Sequence, residues 1–165
     1  MDISMLVNFQ ILQNKNGNFV PITNEEATSV SIGGFSFEIG EYTIPFDWDA
    51  FSGSERDKVF QFETGTGWFW NDYEISDCYD DEYEEIGIKK EDITAEFLAS
   101  VSHIDEFFVD FDDADGKEQG IGWHAYNTDE AQYKINILKM SFLDLETQKE
   151  YPVKQEVLDK YNKGE

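Results

Sequence analysis

The chain is poor in cysteine, proline and basic residues, and it has no long hydrophobic run. Its 165 residues include one cysteine, Cys78, and three prolines. A lone cysteine cannot form an internal disulfide, so a reducing compartment is compatible with the fold. No stretch approaches the roughly 20 apolar residues of a transmembrane helix, and the first residues lack the basic and apolar regions of a secretory signal. We therefore expect a cytoplasmic location.

Basic residues are scarce relative to acids. Twelve Lys and Arg stand against 36 Asp and Glu, which gives a formal net charge of -24 at pH 7. Nucleic acids and anionic membranes are bound mainly through Lys and Arg, so this composition argues against direct contact with either. Aromatic residues make up 16% of the chain, enough to build a core. We expect one folded domain spanning residues 1–165.

Apolar residues recur with period two along much of the chain, which predicts antiparallel strands. The predicted strands cover residues 5–12, 19–22, 28–32, 35–39, 42–46, 59–63, 68–75, 104–111, 120–126, 132–145 and 151–153. Asn16-Gly17 predicts a tight turn, Gly33-Gly34 predicts a hairpin, and Pro45 predicts an edge position or a strand end. Apolar residues at both parities of 132–145 predict a strand covered on both faces.

Two segments have helical periodicity instead. In 92–102, Ile93, Leu98 and Val101 share a face, and Asp92 is a suitable N-cap. A short C-terminal helix is predicted over 154–162, and a helical turn is compatible with 47–57. The predicted class is α+β, mainly antiparallel sheet with one central helix and a short C-terminal helix.

The acids concentrate in the middle of the chain. Residues 59–88 contain nine acids and no Lys or Arg, and residues 91–116 contain nine more, again without a base. Residues 134–165, by contrast, hold six acids and six lysines. A negative field concentrated in this way accelerates encounter with a basic partner.

Residues 71–85 combine eight carboxylates with three tyrosines. Carboxylates pair bidentately with Arg, and Tyr adds contact area at low entropic cost, so this segment suits a cationic protein surface. A solvated acidic loop whose tyrosines fold onto the core is the alternative, and runs of charge are usually such solvated faces. The candidate partner-binding residues are Asp72, Tyr73, Asp77, Tyr79, Asp80, Asp81, Tyr83 and Glu84, with Asp112, Asp113 and Asp115 as a second patch.

The second patch also invites a calcium interpretation, because hard cations bind clustered carboxylates. The EF-hand pattern fails, since placing Gly116 at its sixth position puts Phe111 first and Gly122 twelfth. Two interpretations remain for this segment: an irregular cation site, or an ordinary Asp- and Gly-rich hairpin turn. The ligands of the cation site would be Asp110, Asp112, Asp113 and Asp115.

Catalytic and zinc-binding patterns are missing from the sequence. The candidate zinc ligands are His103, His124 and Cys78, without CxxC, HxH or HExxH spacing. His103 is placed to complement the negative end of the helix that precedes it. No nucleophile motif or phosphate loop occurs. We therefore predict that the chain is not an enzyme and holds no cofactor or metal.

The leading hypothesis is a small acidic cytoplasmic binding protein of the immunity or inhibitor type. It would neutralise a basic protein partner, such as a nuclease toxin or a nucleic-acid-binding protein, by presenting acids where phosphates would sit. By composition alone, the chain resembles the acidic immunity proteins and nucleic-acid mimics of bacterial conflict systems. The alternative is a ligand-binding module that uses Trp68 to Trp70 for a glycan or small molecule, assisted by calcium at 110–115. The oligomeric state stays open.

Overall fold

The fold comes from a computed structural model, which describes residues 2–23, 26–47, 59–63, 66–74, 85, 87–123 and 132–163. The strands are β1 (Asp2–Lys15), β2 (Asn18–Pro21), β3 (Ala27–Ile39), β4 (Tyr42–Asp47), β5 (Val59–Glu63), β6 (Thr66–Glu74), β7 (His103–Asp113), β8 (Glu118–Trp123), β9 (Tyr133–Asp144) and β10 (Lys149–Pro152). Among the described residues, the helices of more than one turn are α1 (Ala95–Ala99) and α2 (Gln155–Asn162).

The strands pair antiparallel, as the period-two pattern predicts, but they form two sheets and not one. The first has the order β10-β9-β1-β6-β5, and the second has the order β4-β3-β7-β8. Strand β1 is the centre of the first sheet: one edge pairs with β9, while the other pairs with β6 and then with β2. Its alternate residues Ile3, Met5, Val7, Phe9 and Ile11 are fully buried.

Edge-to-face aromatic pairs join the two sheets. Each pair takes one ring from the first sheet and one from the second, with ring centroids 5.8, 6.0 and 5.1 Å apart in Phe9–Phe107, Phe142–Phe37 and Tyr133–Phe111. Such pairs add about 0.5–1.5 kcal/mol each to the free energy gained by burying their area. The buried side chains of both sheets and both helices belong to one hydrophobic cluster.

Helix α2 closes the open edge of β9, and its prediction over 154–162 is confirmed to within one residue. The buried Tyr161 hydroxyl donates to the Phe107 carbonyl at 3.4 Å. The Asn162 side chain accepts from the Ile137 amide at 2.7 Å and donates to the Ile137 carbonyl at 2.9 Å. Asn162 thus supplies the hydrogen bonds that a neighbouring strand would make at Ile137.

The predicted central helix is much shorter than 92–102. Lys90–Asp92 form a 3-10 turn, Ile93 is extended, and α1 begins only at Ala95. The N-cap is Thr94, whose hydroxyl accepts from the Phe97 amide at 3.1 Å, and not Asp92. A second capping residue two positions later therefore moves the start of the helix. Within the described part of the chain, no helix has the length and apolar character needed to span a membrane.

The hairpin predicted at Gly33-Gly34 is wrong, because β3 continues through both glycines. Ile32 pairs with Val109 of β7 and Gly34 with Phe108, so Gly33 is the extra residue at an irregularity of the register. Glycines in a strand are absorbed as bulges as readily as they form turns. Strand β4, which contains Pro45, lies at an edge of the second sheet in the described part of the chain, as predicted. Of the segment 47–57, where a helical turn is predicted as compatible, Asp47 ends β4 and the other residues lie outside the described ones.

A bulge explains why β9 has apolar residues at both odd-numbered and even-numbered positions. Asn8 pairs with Lys139 and Phe9 with Ile137, so Leu138 is an extra residue in β9. The buried positions change parity there, and Leu138 itself is 37% exposed. The mixed pattern therefore reflects a change of register and, at the consecutive buried residues Met140, Ser141 and Phe142, cover on both faces.

We expect Phe107→Ala to lower the free energy of unfolding by about 3–5 kcal/mol, because it removes a buried ring that contacts the opposite sheet. The matched control is Val20→Ala on β2, where the side chain is 39% exposed and the change should stay within about 0.5 kcal/mol. Urea unfolding followed by tryptophan fluorescence measures both. Equal losses in the two variants would contradict the packing described here.

The Tyr161 phenol predicts a pH dependence. Burial raises its pKa well above the ordinary value of 10.0, so the folded protein retains a proton that the unfolded chain releases. The contribution of the neutral phenol to the free energy of unfolding is fully present below pH 10. It is lost as pH rises through the folded pKa, by about 1.4 kcal/mol per pH unit. Tyr161→Phe should cost about 1 kcal/mol at neutral pH. The two stability curves should converge and cross above pH 10; a constant difference would contradict this assignment.

Candidate functional site

The second patch of predicted residues lies on one hairpin. Asp112 and Asp113 end β7, and Asp115 lies in the turn to β8. We call residues 110–118 the acidic hairpin. From the first patch, Asp72 and Tyr73 belong to β6, where they pair with Ser4 and Ile3. The other predicted residues, Asp77, Tyr79, Asp80, Asp81, Tyr83 and Glu84, lie outside the described residues.

The Asp113 carboxylate organises the turn of the acidic hairpin. Its Oδ1 accepts from the Lys117 amide at 2.9 Å and from the Asp115 amide at 3.0 Å, and its Oδ2 accepts from the Gln119 side chain at 3.0 Å. These bonds, with that to Lys117 first, hold the pKa of Asp113 below its ordinary value. Gly116 has a φ of 78°, the left-handed conformation that glycine favours. The hairpin loop predicted here is confirmed.

Strand alternation divides the hairpin into two faces. Val109 and Phe111 are buried, so the intervening Asp110 and Asp112 lie on the opposite face of β7. Glu118 of β8 pairs directly with Asp112 and shares that face. We call Asp110, Asp112 and Glu118 the outer acidic face.

The carboxylates of the outer acidic face repel one another. Partial burial, and then the charge of Glu118, raise the pKa of Asp110 above its ordinary value. Like charges directly opposite across strands destabilise a sheet. Among the described residues, no Lys or Arg forms a salt bridge with Asp110, Asp112 or Glu118. The face therefore carries negative charge that the described part of the chain leaves unpaired.

The other side of the hairpin forms a small cleft with the first sheet. Its volume is about 190 Å³, and its lining residues are Gln13, Ile22, Glu26, Asp113, Ala114, Asp115, Gln132 and Tyr133. This volume is below the roughly 300 Å³ typical of small-molecule sites, so the cleft suits a single inserted side chain. At its rim, the Lys15 Nζ lies 3.4 Å from the Glu26 Oε2. Burial opposes ionisation of Glu26, but hydrogen bonds from Thr23 and the Lys15 ammonium lower its pKa overall.

Tyr133 is the buried polar group of this cleft. The residue is 9% exposed, and no described residue forms a hydrogen bond with its hydroxyl. Burial raises the pKa of Tyr133, and the charges of Asp113, Glu26 and Asp115 raise it further. The neutral phenol is therefore a hydrogen-bond donor and acceptor held in a field of carboxylates.

Sequence reasoning missed Glu118, Glu26 and Tyr133 as members of this site. Glu118 could have been found by counting cross-strand partners outward from the turn at Gly116. No local signal places Glu26 or Tyr133 there, because they approach the hairpin from the connection between β2 and β3 and from the start of β9.

Two other interpretations gain no support from the geometry. The Asp113 carboxylate is engaged by the turn, and among the described residues of the tip no three potential ligands lie within 4.8 Å of one another. Residues Trp68 to Trp70, considered as a sugar platform, lie in β6 between β1 and β5.

Comparisons with protein-family models, with curated proteins and with solved structures gave no match. The interpretation of the site therefore rests on its own geometry and charge.

We expect Glu118→Gln to stabilise the protein by up to about 1 kcal/mol at low ionic strength, because it removes the charge opposite Asp112. It should also lower the pKa of Asp110 toward its ordinary value. A raised carboxyl pKa adds stability below the unfolded pKa that is lost as pH rises, so the gain should appear at neutral pH and vanish in acid. Urea unfolding and an NMR titration of Asp110 measure the two effects. An unchanged stability would show that the repulsion is already screened.

Proposed function

We propose that this chain is a small acidic binding protein of the immunity or inhibitor type, acting in the cytoplasm on a basic protein partner. A nuclease toxin or another nucleic-acid-binding protein is the class of partner that fits. The observation that supports the proposal is the outer acidic face, where three carboxylates stand together without a described basic partner. Lys or Arg side chains of a partner would remove the repulsion among them.

The proposal follows from the charge requirements of nucleic-acid binding. A protein that binds phosphates presents Lys and Arg on its surface, and these side chains also pair with carboxylates. With a net charge of -24, the chain attracts such a surface from a distance and orients it during encounter. The same charge opposes its own binding to nucleic acid or to an anionic membrane.

The cleft beneath the hairpin adds a place for one cationic side chain. Glu26, Asp113 and Asp115 give its lining a negative charge, and Tyr133 lines it with a hydroxyl. A Lys or Arg inserted there would bury its aliphatic part against Ile22 and keep its charged end near the acids. The segment of residues 71–85, with Asp80 and Asp81 at its centre, forms the second part of the proposed interface.

The test is capture of partners from the native host, followed by binding kinetics with the purified partner. The hairpin variant is Asp112→Asn, Asp115→Asn and Glu118→Gln, which leaves Asp113 to hold the turn. We expect the wild-type chain to capture a strongly basic protein, and the variant to associate with it at least about tenfold more slowly at low salt. A variant that combines Asp80→Lys with Asp81→Lys tests the segment of residues 71–85 in the same assay.

The matched control is Glu91→Gln, Glu96→Gln and Glu146→Gln, three exposed acids outside the hairpin. It changes the net charge by the same amount and should slow association only slightly. Equal slowing by both variants would show that total charge acts, and not the hairpin. Failure to capture any basic protein, with wild-type protein that is folded, would contradict the proposed function.

A further inference from the structure

A separate group of metal-ligating side chains lies at the other end of β7 from the acidic hairpin. Glu38 of β3 pairs with His103 of β7, and Asp105 follows His103 by two residues. One imidazole nitrogen and one oxygen from each carboxylate all lie within 4.8 Å of one another. The His103 Nε2 and the Asp105 Oδ1 are 3.8 Å apart.

The backbone holds these three residues together. Phe37 pairs with Ile104 and Ser36 with Glu106, so Asp105 is the extra residue of a bulge. Bulges re-aim side chains and occur often beside functional sites. The Glu38 carbonyl accepts from the Ser102 amide at 2.9 Å and from the Ser102 hydroxyl at 3.0 Å, which fixes the start of β7 against the end of β3.

We propose that Glu38, His103 and Asp105 bind a divalent transition-metal ion of the zinc type. An imidazole with two carboxylates suits zinc and its neighbours, whereas calcium takes six to eight oxygens. Three protein ligands leave a fourth position for water. The side chains of His103 and Asp105 are 36% and 32% exposed, so an ion and its water can reach the site from solvent.

The distances fit this ion after small side-chain movements. Zinc–nitrogen and zinc–oxygen bonds of about 2.0–2.2 Å place two tetrahedral ligands about 3.4 Å apart. The 3.8 Å separation of His103 and Asp105 is slightly longer than this and too long for a strong hydrogen bond. Closing the remaining separations, none above 4.8 Å, requires rotation of side chains and no change in strand register.

The sequence does not predict this site, because its ligands come from two strands that are distant in the chain. The separation of Glu38 and His103 in sequence matches no metal motif, and only the pairing of β3 with β7 brings them together. The proposal is independent of the partner-binding function, since it uses no residue of the acidic hairpin or the cleft.

Calorimetric titration of the intact protein with zinc chloride, in excess magnesium to occupy diffuse acidic sites, tests the proposal. We expect one zinc ion per chain, and an affinity reduced at least about tenfold by His103→Gln, Asp105→Asn or Glu38→Gln. NMR of the histidine rings gives a second readout, because the chain has two histidines. Zinc should shift the His103 ring signals and leave those of His124 in place.

The matched controls are His124→Gln and Cys78→Ser, which remove the other candidate zinc ligands, and Glu146→Gln, which removes an exposed carboxylate elsewhere. All three should bind zinc as the wild type does. Binding that survives His103→Gln but is lost in either of the first two controls would overturn the proposal. Titration without saturation at one equivalent would overturn it as well.

Discussion

The alternation of side chains along β7 is the constraint on which the rest of the structure depends. Its inward residues Phe107, Val109 and Phe111 are buried, and two of them form edge-to-face pairs with the opposite sheet. Since successive residues face opposite ways, this packing also determines which acids of the strand lie outside. The core contacts and the acidic face are therefore two consequences of one register.

This register carries an electrostatic cost. Asp112 and Glu118 oppose each other across the hairpin, and burial, followed by the charge of Glu118, raises the pKa of Asp110. A sheet selected for stability alone would place opposite charges there. Functional sites commonly retain such unfavourable arrangements, because the missing counter-charge comes from what they bind. A basic partner would supply the missing positive charge and so remove the repulsion among these carboxylates.

Local patterns predicted the strands well and the long-range arrangement poorly. The alternation in 104–111 and the glycine at 116 were sufficient for the hairpin, and Pro45 for an edge strand. Bulges explain why the hairpin predicted at Gly33-Gly34 is wrong and why the buried positions of β9 change their alternation, because a register shift depends on the partner strand. The cleft residues and the Glu38–His103 pair could not be predicted, since they depend on which strands become neighbours.

The pKa of Asp110, measured by NMR in the free protein and in complex with the captured basic partner, tests the central claim most directly. In the free protein, burial and Glu118 raise this pKa. If cationic side chains of the partner occupy the outer acidic face, the pKa should fall below its value in the free protein, because a nearby positive charge favours the carboxylate. A pKa that stays the same or rises on binding would contradict the account.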